Sequence, residues 1–109
     1  MNQDMLIIDG DYPMAVGALD MDRDLTRPID DVRSAPKSRS GWRGWSDSET
    51  MATLPEMRRA GIAAALVKVS ACVPKPANPH GEYRTVEIAY SAAQGQLAYY
   101  RVLEAKGEA

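Results

Sequence analysis

Two apolar runs, Met5–Ile8 and Ile62–Cys72, do more than any other feature to limit what this chain can become. Neither alternates polar with apolar residues. A strand that is apolar on both faces belongs in a parallel sheet covered on both sides. Parallel neighbours cannot be joined by a hairpin and need a crossover, usually helical. The chain therefore reads as α/β from these runs alone. The first strand is expected over residues 5–9, ended by Asp9-Gly10, with Pro13 unable to donate to a ladder. The second is expected over residues 62–72.

Helical signals fall between and after the runs. Residues 14–19 are expected to add a turn or two. Thr53-Leu54-Pro55-Glu56 reads as a capping box with proline in the first turn, and Gly61 as a left-handed stop. A long helix is expected from about Glu82 to Ala105. Its apolar stripe is Val86, Ala89, Tyr90, Ala93, Leu97, Tyr100 and Leu103, spaced by three and four, with Gly107 as its stop. Residues 20–50 form a long polar loop. A connection of that length is functional or disordered, and Trp42 and Trp45 argue that part of it packs. Pro74, Pro76 and Pro79 stiffen the loop at 73–81. The order is strand, long loop, short helix, strand, loop, long helix. Two parallel strands leave both sheet edges open, so the pattern implies a single partial domain over 1–109, completed by further strands.

Composition excludes several classes. Net charge is −2, too small to steer nucleic acid or an anionic membrane. The charge is uneven: residues 1–31 carry net −6 and residues 32–68 net +4, so these parts are expected to attract each other. No apolar stretch approaches a bilayer span, and the N-terminus lacks the basic, then apolar, pattern of a signal peptide. With one cysteine, Cys72, no internal disulfide can form. The expectation is a soluble cytoplasmic protein with no nucleic-acid or membrane partner.

Four blocks then carry a resemblance: Ile8-Asp9-Gly10, Arg23-Asp24-Leu25-Thr26-Arg27-Pro28, Thr53-Leu54-Pro55-Glu56-Met57-Arg58-Arg59-Ala60-Gly61 and Gln94-Gly95-Gln96-Leu97-Ala98-Tyr99-Tyr100-Arg101. In this order they resemble the N-terminal part of the membrane dipeptidase (renal dipeptidase) family of zinc metallopeptidases, in its bacterial form. The resemblance implies a partial (β/α)8 barrel, about its first two β/α units, of the amidohydrolase type. It implies a family reaction, hydrolysis of dipeptides by a zinc-bound hydroxide. The family's first strand ends Asp-Gly-His-x-Asp, where the His and the last Asp hold metal. Here Asp9 and Gly10 match, Asp11 stands at the His position and Pro13 at the ligating Asp. The later strands that supply the bridging Glu and two further His have no counterpart. Asp11 is thus the one candidate metal ligand, no catalytic residue is assigned, and the isolated chain is expected to bind no zinc and turn over no dipeptide.

Bland readings stand beside each candidate. Asp9 either contributes to a metal site or caps a turn, and Asp11 is otherwise solvated. Asp20-Met21-Asp22-Arg23-Asp24 alternates carboxylates like a calcium loop, but Leu25 and Asp31 stand where that loop needs Gly and Glu, which favours a solvated turn paired with Arg23 and Arg27. Cys72 reads as an inert core thiol and His80 as a loop residue. Two functions remain: part of a metal-dependent dipeptidase, or a non-catalytic module that pairs with a second copy or with a chain carrying the remaining barrel. A cation-binding protein built on Asp9, Asp11 and the 20–24 turn is the weaker third.

Overall fold

A computed structural model describes residues 5–35, 50–74 and 83–108. Trp42, Trp45, His80 and Glu82 lie outside the described residues. The described elements run β1 (Ile7–Tyr12), α1 (Met14–Asp20), α2 (Ile29–Ser34), α3 (Leu54–Arg59), β2 (Ile62–Val67) and α4 (Val86–Ala105). β1 and β2 pair in parallel as a two-stranded sheet. The protein is a mixed α/β structure, as the two apolar runs require.

The strands differ from the sequence expectation in their limits. β1 does not stop at Asp9-Gly10 but runs on to Tyr12. Its ladder with β2 is irregular: Asp9 pairs with Ala65 and Tyr12 with Val67, and the register shifts between them. An irregularity of this kind re-aims side chains at a strand end. β2 stops at Val67, and residues 68–72 continue without strand pairing. Nor are the strands covered on both faces. Ile8 is 59% and Leu66 66% exposed, and Leu6 is exposed beside them. The reason is the sheet's size: helices pack one side of it, and the other side has no layer among the described residues.

The core lies where α1 meets α4. Met14, Ala18, Leu25 and Leu103 are buried together, with Tyr12, Leu54, Tyr99 and Tyr100 packed against them. On α4 the buried residues are Ala89, Gln96 and Leu103, seven apart. The expected stripe is therefore corrected. Val86 and Tyr90 are exposed, and the buried line passes through a glutamine in place of Leu97.

The helix ends follow local chemistry. Thr85 caps α4 by accepting from the Ile88 amide at 3.1 Å. Gly107, with φ +77°, ends the helix, and the Glu108 amide donates back to the Leu103 carbonyl. Gly61, with φ +80°, ends α3 as expected. The capping box at Thr53 does not form. Thr53 has the extended backbone of a cap, but its Oγ1 is buried without a partner, and Glu56 turns to Arg59 at 3.0 Å. Within the expected 20–50 loop, α2 is a helix, begun by Pro28, with Asp30 and Asp31 in its first turn and Arg33 in its last.

Candidate functional site

The carboxyl ends of parallel strands are where open α/β sheets bind ligands, because the chain there turns away and leaves a crevice. In this protein that end carries a cleft of about 530 Å³. Asp9, Asp11, Lys68 and Ser70 line it at the strand ends, over an apolar wall that includes Met14 and Leu25. β1 delivers the two carboxylates. The unpaired continuation of β2 delivers Lys68 and Ser70.

Asp9 and Asp11 come together at the end of β1. The Asp9 Oδ1 accepts from the Asp11 backbone amide at 3.0 Å, closing a tight local turn at the ladder irregularity. The Asp11 carboxylate faces the Lys68 ammonium, with Nζ 3.2 Å from Oδ1 and 3.4 Å from Oδ2. This pair also links the acidic head to the basic middle of the chain, as the charge pattern suggests.

The segment after β2 is held by α4. Gln96, only 1% exposed, accepts from the Ser70 amide at 2.8 Å through Oε1 and donates to the Ser70 carbonyl at 2.7 Å through Nε2. One turn later, the Tyr100 hydroxyl donates to the Lys68 carbonyl at 2.8 Å and accepts from the Ala15 amide at 3.0 Å. The spacing fits: four helical residues rise about 6 Å, and two extended residues span about 6.6 Å. Tyr12, at the end of β1, donates to the Ala52 carbonyl at 3.0 Å. Burial pushes the Tyr12 and Tyr99 phenols up to about 12, helped for Tyr12 by neighbouring tyrosines and Asp9, and for Tyr99 by Asp24 and Tyr100. Burial also raises Tyr100, against its two backbone hydrogen bonds.

The acidic turn is local structure. Asp24 Oδ1 accepts from the Thr26 hydroxyl at 2.6 Å and the Thr26 amide at 3.1 Å, and these bonds, the hydroxyl first, lower its pKa. Asp22 takes a left-handed conformation at φ +52°. Arg27 pairs with Asp31 at 3.2 Å, its amide donates to the Asp24 carbonyl, and its charge helps to lower the Asp24 carboxyl. Cys72 is exposed and lies past the end of β2, so it is not the core thiol that a strand over 62–72 implies.

Zinc needs three or four converging donors. Among the described residues no three His, Cys, Asp or Glu converge. Asp11 already holds an ammonium, and Pro13 offers no donor. The described residues alone therefore do not supply the donor set of the zinc that the resemblance implies. Gln96 and Tyr100 escaped the sequence reading as site residues. Their signal was the i, i+4 pairing of two hydrogen-bonding side chains on a helix that follows a strand. Among the described residues no helix is long and apolar enough to cross a membrane. No protein-family model, no curated protein and no solved structure matches the chain.

Proposed function

We propose that this chain provides the first two β/α units of a dipeptidase-type (β/α)8 barrel and hydrolyses no dipeptide by itself. One observation carries the reading. Two adjacent parallel strands share a cleft at their carboxyl ends, while the opposite sheet face, at Ile8 and Leu66, has among the described residues no layer of the kind that parallel sheets have. The four sequence blocks supply the family. Substrate specificity and hydrolytic chemistry then depend on strands beyond these two. The test is dipeptide turnover by the chain with added zinc. No turnover is expected; zinc-dependent hydrolysis sinks the reading.

The exposed sheet face favours a second reading, a non-catalytic module that pairs with another copy or with a chain bearing the remaining strands. Sedimentation distinguishes it. Association is expected if the sheet is completed in this way, whereas a monomer with one cooperative unfolding transition counts against both readings.

A further inference from the structure

We propose that Lys68 is the built-in counter-ion of Asp11, held in place by α4, and that it keeps divalent metal ions out of the acidic end of β1. The inference concerns this chain's own side chains and stands whether or not the dipeptidase reading holds.

Asp11 sits on an irregular stretch of β1, with its side chain over the cleft. Its carboxylate is 65% exposed, so water solvates it, and any cation at this end competes with that water and with the Lys68 ammonium. The Lys68 ammonium lies within 3.4 Å of both Asp11 oxygens, so it meets the carboxylate as a small cation would. Asp9, the other carboxylate of this end, has one oxygen engaged by the Asp11 amide. A divalent ion would have to displace Lys68 or bind beside its positive charge.

An exposed ion pair alone constrains little, because a lysine side chain swings freely. Here the backbone beneath it is fixed. The Lys68 carbonyl is bound by Tyr100, whose hydroxyl is itself fixed by the Ala15 amide. Two residues on, both backbone groups of Ser70 are bound by the buried Gln96. Two side chains of α4 thus replace a neighbouring strand along residues 68–70. They bring the ammonium opposite Asp11 with little backbone freedom left to lose. Tyr100 and Gln96 are positioning residues, acting on Asp11 through Lys68.

The test is a titration with manganese(II) alone, a hard cation that seeks oxygen donors, read as paramagnetic broadening of the side-chain carboxyl carbons of Asp9 and Asp11. In the unaltered protein these signals are expected to persist at metal concentrations that broaden Lys68→Met. Removing a unit charge some 4 Å from a divalent ion is expected to tighten binding about tenfold. Lys68→Arg keeps the charge and is expected to behave as the unaltered protein, and Lys68→Met/Asp11→Asn to lose the gain. Tyr100→Phe, which frees the Lys68 carbonyl, is expected to fall between the unaltered protein and Lys68→Met. Equal broadening of Asp11 in the unaltered protein and in Lys68→Met overturns the proposal, as does a gain that survives Asp11→Asn.

Discussion

Replacing Gln96 with leucine removes one side chain and leaves two backbone groups without partners. Gln96 is 1% exposed and accounts for both hydrogen bonds of Ser70. Each partner left unsatisfied away from water costs about 1–3 kcal/mol, and leucine's extra apolar burial returns about 1–2 kcal/mol. These ranges place the net loss between about 0 and 5 kcal/mol, with a central value of about 2–3 kcal/mol, or about 1–2 M in the urea midpoint of a small domain. Gln96→Glu separates the two bonds. Its carboxylate still accepts from the Ser70 amide, but faces the Ser70 carbonyl with no proton to donate. Burial and that carbonyl raise the folded pKa above the ordinary value of about 4.3. The sign follows from the protonated form being the one that fits. Stability relative to the parent is retained below the unfolded pKa and lost as pH rises through the folded one. Urea denaturation followed by circular dichroism at acid and neutral pH gives both values, and amide exchange at Ser70 localises the effect. If Gln96→Leu lies within about 0.5 kcal/mol of the parent, with Ser70 exchange unchanged, the bridge from α4 contributes nothing and the reasoning fails.

Three further outcomes are expected. Tyr12 and Tyr99 are expected to ionise near pH 12, seen as late phenolate absorbance in the folded protein; since unfolded tyrosine ionises near 10, stability falls as pH rises from about 10 towards 12, and a single transition near 10 for all tyrosines contradicts the burial. Thr53→Val removes a buried hydroxyl that has no partner and is expected to be neutral or to stabilise by up to about 1 kcal/mol in thermal denaturation, whereas a loss above that means the hydroxyl is satisfied. Gly95→Ala places a methyl in open space within α4, where nothing lies within 4 Å, and is expected to raise stability by about 0.5–1 kcal/mol; destabilisation means that α4 packs more tightly there.

Features set by local backbone chemistry were legible in the sequence. Gly61 and Gly107 stop their helices because a positive φ there excludes most other residues. The start of α4 is expected near Glu82, whereas the helix begins at Val86 with Thr85 as a cap that the pattern does not single out. The helix α2 was also within reach. Asp30 and Asp31 in its first turn and Arg33 in its last complement the helix dipole, but six residues without a buried side chain give no apolar period to detect. Features set by distant contacts were not legible. The capping box at Thr53 matched its pattern, yet Glu56 found Arg59. The apolar character of Asp9-Gly10's surroundings said nothing of a register shift against Ala65 and Val67, more than fifty residues away.

Gln96 shows why the site was harder to read than the fold. Apolar periodicity assigns the buried face of a helix by excluding polar residues, so it selected Leu97 and passed over its neighbour. The rule fails when a helix packs against backbone that has left its sheet. Residues 68–70 carry amides and carbonyls that no strand pairs, and a leucine opposite them would leave those groups unmet. A carboxamide, with one donor and one acceptor, satisfies both groups of Ser70. The same need explains Tyr100, whose hydroxyl meets the Lys68 carbonyl and the Ala15 amide. Polar residues on the inner face of α4 thus follow from β2 ending at Val67. That early end is what sets Lys68 across the cleft from Asp11, on backbone that α4 holds.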